Sequence, residues 1–185
     1  MTQNSLLKVI AAAAACLTTT GALAAEWQLA QGMGSVQFTA VQQGTKFTGR
    51  FQSFAATINI DPAAVEQGSI VGSVETASVN TRDHDRDSAL TDGDWFDSNK
   101  YPEARFESSS IVKTDDGYRA EGTLTIKGTS KPAAMDFTFD AAGMTAKFMG
   151  KLKVNRFDFN VGEGWNDTSW VGQHVDVQIN LDLKH

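Results

Sequence analysis

Residues 174–184 read HVDVQINLDLK, in which Val175, Val177, Ile179, Leu181 and Leu183 alternate with His174, Asp176, Gln178, Asn180, Asp182 and Lys184. Successive side chains of an extended chain point to opposite faces, so this is a strand with one dry and one wet side. The pattern repeats upstream. Phe148, Gly150, Leu152 and Val154 oppose Lys147, Met149, Lys151 and Lys153. Tyr118, Ala120, Gly122, Leu124 and Ile126 oppose Arg119, Glu121, Thr123, Thr125 and Lys127, and a turn over residues 127–131 leads into Met135, Phe137 and Phe139. Further strands are predicted near 35–41, 45–52, 54–60, 70–76 and 106–112, eight or nine in all. Short strands with no helices between them imply a sandwich or a barrel. The barrel is favoured because inward positions mix small residues (Ala40, Gly72, Ala120, Gly122, Gly150) with large ones (Phe38, Phe51, Phe137, Phe148), as closure of a tapering interior requires. The expected fold is all-β, an antiparallel eight-stranded β-barrel.

One stretch departs from this pattern. Residues 81–106, TRDHDRDSALTDGDWFDSNKYPEARF, open with alternating charges, pass through a helical turn at Ser88 to Leu90 and end in Trp95, Phe96 and Tyr101 before Pro102. We expect a short helical insertion, about residues 82–98, across one barrel end, with Leu90, Trp95, Phe96 and Tyr101 packed onto it and Arg86 as its anchor.

The 185 residues, 41% hydrophobic and 21% charged, suit one domain. Residues 1–24 combine a polar start carrying Lys8, an alanine-rich apolar run and Ala22-Leu23-Ala24, the pattern of a secretory signal peptide. Thr18 to Gly21 interrupt the run too early for a transmembrane anchor. The expected organisation is a signal peptide at 1–24 and one domain at 25–185. Cleavage removes Cys16, the single cysteine, and leaves no thiol nucleophile, disulfide or Cys-ligated metal. It also shifts the formal charge from -6 to -7, because Lys8 is the only charged side chain lost. That acidity argues against a nucleic-acid partner and against anionic membranes.

Asp83, His84, Asp85 and Asp87 place four possible metal ligands within five residues, but neither zinc nor calcium spacing is met. The plainer reading is a loop whose Asp residues cap the helical turn and pair with Arg82 and Arg86. No Cys or G-x-S-x-G elbow accompanies the histidines, and no phosphate loop or dinucleotide fingerprint is present. No catalytic residue, metal or cofactor is therefore assigned. Trp165 and Trp170, in residues 155–170, either cover a pocket mouth or plug the barrel. The interior itself either holds one small apolar ligand, as an eight-stranded barrel can, or is filled by its own Phe and Leu side chains.

Several runs together resemble the YceI-like family: Trp27; Ser35, Val36 and Phe38; Gly49, Phe51 and Phe54; Val79-Asn80-Thr81 leading to Arg86-Asp87 and Leu90; Trp95-Phe96-Asp97; Tyr101-Pro102 and Phe106; residues 122–128 with Lys131-Pro132; and Asn155-Arg156 with Phe157-Asp158-Phe159. The family often has Phe-Phe where this chain has Trp95-Phe96, and often Phe-Gly where it has Phe159-Asn160. The resemblance implies an exported, periplasmic protein with a lipocalin-like barrel whose apolar tunnel takes a polyisoprenoid or a quinone. It places Phe38, Phe51, Phe54, Leu90, Phe96, Tyr101, Phe106, Leu124, Phe137 and Phe148 as candidates for wall and mouth. Arg86 and Arg156 become candidates for a head-group contact, the alternative being ion pairs with Asp87 and Asp158. The end carrying Trp165 and Trp170 is similar to the branch found beside a cytochrome b561-type membrane protein. An enzyme using Asp83 or Asp94, or an interaction module for a membrane redox partner, are the competing expectations. Alanine at those carboxylates is the expected test of the enzyme, and filling the tunnel through Gly122→Phe the expected test of the interaction module. The sequence leaves monomer and dimer open.

Overall fold

The structure, a computed structural model, describes residues 26–185. The signal peptide expected at 1–24 lies outside the described residues. Ten strands and one α-helix follow in order: β1 (Glu26–Gln42), β2 (Thr45–Phe51), β3 (Phe54–Asn59), β4 (Ser69–Glu75), β5 (Val79–Asn80), α1 (His84–Thr91), β6 (Glu103–Thr114), β7 (Gly117–Ile126), β8 (Thr129–Ala142), β9 (Thr145–Asn155) and β10 (His174–Lys184). Every pairing is antiparallel, and β10 closes the sheet onto β1. The long β1 pairs with β3 through its first residues and with β2 through its second half, so β2 and β3 form one bent stave. β4 and β5 form another, paired with β3 and β2 respectively. The result is the expected closed eight-strand antiparallel barrel, with a single short α-helix among the described residues.

The alternation read in β10 holds along the wall. Leu181 and Leu183 are buried, and the outward residues carry cross-strand charge pairs: Asp136 opposite Arg119 and Lys151, and Lys147 opposite Asp140 and Asp182. Opposite charges facing each other across a ladder fix register modestly. Two tight hairpins turn on residues with positive φ, Gln43-Gly44 (49° and 74°) and Lys127-Gly128 (48° and 70°). Positive φ at both central positions is the two-residue turn whose twist matches flanking strands. β8 therefore starts at Thr129, earlier than the turn through Lys131 had implied.

β1 also begins earlier than expected, at Glu26. A register shift between Leu29 and Gly34 moves the buried phase from Trp27 to Val36, Phe38 and Ala40. A bulge between Ser108 and Ser110 does the same in β6, where Phe106 and Ile111 are both buried. An extra residue on one strand bends it and reverses the side its later residues face. One end of the barrel is closed by Trp27, whose Nε1 donates to the Ile60 carbonyl (2.9 Å) and whose ring meets Phe139 edge-on at 5.5 Å. The other end carries the segment between β5 and β6, and the cavity opens beside it.

Candidate ligand-binding cavity

The charges of residues 82–87 are used to start α1. Arg82 turns the chain at φ 63°, and the Asp83 carboxylate accepts from the Arg86 backbone N–H (3.1 Å) while lying 3.3 Å from its guanidinium. Asp87 accepts from the Thr81 N–H (2.7 Å) and hydroxyl (2.6 Å) rather than pairing with Arg86. The Asp83 bond to the backbone caps α1 and satisfies one of the free donors of its start, while the Asp87 bonds tie the helix to Thr81 at the end of β5. His84 is exposed, and no three His, Cys, Asp or Glu residues converge to hold a metal among the described residues. After α1 the chain doubles back through Phe96 N–H to Leu90 O and Ser98 N–H to Thr91 O, both 3.0 Å. Leu90 is thereby buried, and Trp95 and Phe96 are half-buried against both clusters of core side chains. Lys127 donates to the Asp94 carbonyl (3.2 Å) and the Asn160 carbonyl (3.0 Å), binding this segment to the loop after β9.

That loop is built around Arg156, which is only 3% exposed. Its Nε donates to Gly172 O (3.0 Å), one terminal nitrogen to Val161 O (3.0 Å) and Gly162 O (3.1 Å), and the other to Val171 O (3.1 Å) and Trp165 O. All five guanidinium donors are therefore committed to backbone carbonyls. None is left for a ligand head group, and Asp158 is not its partner but accepts from Asn155 (3.0 Å), so both expected roles of Arg156 are corrected. Burial holds its pKa below the ordinary arginine value. Arg86 is arranged differently: Nε donates to Gln42 (3.0 Å), the guanidinium lies 4.2 Å above the Phe47 ring, and the side chain is 23% exposed. Its other terminal nitrogen has no acceptor among the described residues, and the residue lines the cavity.

Between these two devices lies an apolar cavity of ≈ 510 Å³. Phe38, Phe51, Phe54, Leu90, Phe96, Phe106, Leu124 and Phe148 all stand on its wall, as do Arg86 and Arg156. Tyr101 and Phe137 do not. The Tyr101 ring covers the Gly128 turn, and Phe137 is stacked between Tyr118 (5.5 Å) and Phe148 (5.1 Å) in the filled part of the barrel. Sequence reasoning missed Gln42 and Phe47 at the mouth and the bridging role of Lys127. Phe47 had a usable signal, sharing the phase of Gly49 and Phe51, whereas a Gln beside a hairpin has none. Gly122 is also reassigned. A Cβ there would lie 2.3 Å from the Glu107 carbonyl oxygen, because Gly122 sits against the β6 bulge, so Gly122→Phe cannot serve to fill the cavity. The open position is Gly72, where a Cβ would meet nothing nearer than the Ala55 carbonyl at 3.9 Å.

The model of the YceI-like domain matches residues 27–183. The chain belongs to the YceI-like family. A UPF0312 protein of Vibrio cholerae is 27% identical to it over 156 residues, 80% of each chain. Among solved structures, Burkholderia cenocepacia BcnA shares 34% identity with a TM-score of 0.76, over 80% of this chain and 95% of that one. A polyisoprenoid binding domain from Saccharophagus degradans, implicated in plant cell wall breakdown, matches with a TM-score of 0.63 over 88% of this chain and 98% of that one; at 16% identity this likeness is one of fold. The family's Phe-Gly step is Phe159-Asn160 here, and Asn160 adopts the left-handed conformation (φ 54°, ψ 32°) that glycine takes freely and asparagine tolerates.

Proposed function

We propose that this YceI-like chain is an exported, periplasmic binding protein that holds a polyisoprenoid or isoprenoid quinone in its barrel, as carrier, scavenger or sensor, without catalysing a reaction on it. The observation that carries the reading is the ≈ 510 Å³ apolar cavity, closed beyond Ile58 and Ile70 and open at a polar mouth with Gln42, Asp83, Asp85 and Arg86. Its volume lies within the range of small-ligand sites, about 300–1,000 Å³. Burying about ten isoprenoid carbons would gain roughly 8 kcal/mol gross at about 0.8 kcal/mol per carbon. Micromolar affinity corresponds to about 8.2 kcal/mol, so a longer tail or a head-group bond must offset the ordering cost. Arg86 is the residue for that bond, its free donors meeting a carbonyl oxygen. The Asp83 carboxylate is held by the α1 start and by Arg86, which leaves it poorly placed for acid–base work. A cytochrome b561-type membrane partner would suit the quinone ligand.

Extraction of protein isolated from native-like membranes, followed by mass spectrometry, should yield an isoprenoid lipid. Added quinone should quench Trp95 and Trp165, which stand on the cavity wall. Gly72→Leu, which places a side chain in the open room, should fold normally and abolish both signals. A lipid-free extract together with unchanged fluorescence would sink the proposal.

A further inference from the structure

The loop 162–172 presents Trp165 and Trp170 at 45% and 52% exposure, next to the opening of the cavity. Large apolar groups left in water beside a lipid-sized opening call for an occupant. The loop is held from below by the five Arg156 bonds and from the side by Gln43 N–H to Trp170 O (2.8 Å) and Gly172 N–H to Val41 O (2.9 Å). It is therefore ordered before any partner arrives, and contact through it loses little conformational freedom.

We propose that this loop is the face by which the barrel docks onto an uncharged, zwitterionic lipid surface, with the cavity mouth against the bilayer. The inference rests on the lipid-binding reading of the cavity. Two observations on the same rim select the occupant. Trp165 belongs both to the cavity wall and to the exposed rim, so one continuous apolar surface runs from the interior to the outside. The charged groups that the mouth and the loop contribute are Arg86 against Asp83 and Asp85 at the mouth and Glu163 and Asp167 in the loop, with no cluster of cations among them. An anionic membrane is recognised by clustered Lys and Arg, which this rim lacks. Indole rings, apolar in body with one polar N–H, partition into the interfacial layer of a bilayer regardless of its charge. The dock is thus aromatic, shallow and reversible.

Trp170 is the test position, because it stands outside the cavity wall and its one bond to the barrel is made by its backbone carbonyl. The full mature protein is floated with vesicles of phosphatidylcholine alone, and with vesicles also containing phosphatidylglycerol. Uptake of a short-chain, water-soluble quinone is measured separately without vesicles. The wild-type protein should float with phosphatidylcholine and shift its Trp emission to the blue. Trp170→Ala should weaken flotation at least fivefold with quinone uptake unchanged, and Trp170→Tyr should restore it. Equal flotation of wild type and Trp170→Ala, binding that grows with phosphatidylglycerol, or binding only to vesicles carrying membrane protein would each overturn the docking while leaving the cavity reading intact. Failure of wild-type quinone uptake would remove the cavity reading and the docking built on it.

Discussion

Replacing Arg156 with Met keeps the apolar stem and removes five donors at once. Of the five carbonyls released, those of Val161 and Gly162 belong to buried residues, while Trp165, Val171 and Gly172 lie in exposed or half-exposed positions where water can reach them. A buried polar group left unpaired costs about 1–3 kcal/mol, so the two inaccessible carbonyls set a loss of roughly 2–6 kcal/mol. The ring contacts to Phe157 (4.2 Å) and Trp95 (5.9 Å) are lost as well. At about 2–4 °C per kcal/mol for a domain of this length, the central value of about 4 kcal/mol lowers the melting temperature by roughly 8–16 °C. Thermal unfolding followed by circular dichroism measures this. Arg156→Lys separates charge from shape, since an ammonium offers three donors on one atom and cannot span the carbonyls that the planar fork reaches. It should melt between wild type and Arg156→Met. If Arg156→Met melts within about 2 °C of wild type, or the lysine variant recovers full stability, the loop is not built on the fork and the reasoning fails.

Three further substitutions read other parts of the design. Gly122→Ala forces a methyl against the Glu107 carbonyl and should lower stability by about 1–3 kcal/mol in urea unfolding, whereas Gly72→Ala, which has room, should leave the midpoint unchanged. Asn160→Ala places an ordinary side chain in the left-handed region and should cost about 1 kcal/mol, while Asn160→Gly stays close to wild type. Arg119 holds the Asp136 carboxyl below its ordinary pKa, chiefly through a hydrogen bond (2.6 Å), with burial opposing it and the charge of Arg119 adding the least. A depressed carboxylate stabilises the fold above the unfolded value of about 3.9 and loses that stabilisation as pH falls through the folded value. In Arg119→Ala, an NMR titration should show Asp136 moving up to the ordinary carboxylate range, and the stability lost relative to wild type should be seen above the unfolded carboxylate pKa and vanish in acid; an unmoved titration would refute the pairing.

Most of the wall was readable because a one-faced strand writes its phase directly into the sequence, and β7, β9 and β10 do so without interruption. The late start read for β1 has a physical cause. In β1 the buried phase runs on odd numbers at Trp27 and Leu29 and on even numbers from Val36 onward, so a search for unbroken alternation finds only the second half. A bulge is invisible as composition, since the extra residue carries no chemical mark, and it appears only in which partner residues face one another. At the mouth, the acidic run was readable as helix capping because Asp before a helical turn has a local role. Arg156 was not, because its acceptors are backbone carbonyls, which every residue supplies and no residue type announces.

The cavity depended on a distinction that residue identity alone does not draw. Gly72, Gly122 and Gly150 all fall on the inward phase and looked equivalent. In the barrel a Cβ at Gly150 would lie 3.0 Å from both Met135 and Phe148, so that glycine is where two large side chains are fitted together. At Gly122 the missing side chain lets the backbone of the β6 bulge come close. Only at Gly72 is the space left open: its ladder partners are Ala56 on β3 and Phe106 on β6, and in the next inward row Val74 stands between Phe54 and Ala104. There the cavity touches residues of both phases, Ala55 with Ala56 and Gly72 with Ser73, because the inward side chains are too small to keep it from the backbone. The Tyr118-Phe137-Phe148 stack meanwhile fills the part of the barrel where large residues face one another. Whether a small residue empties a barrel or tightens it is decided by what stands within reach of its missing Cβ: backbone at Gly122, side chains at Gly150 and almost nothing at Gly72. The room for a ligand is therefore a property of the small inward residues Ala56, Gly72 and Ala104 together, and a single bulky residue at one of them should be enough to close it.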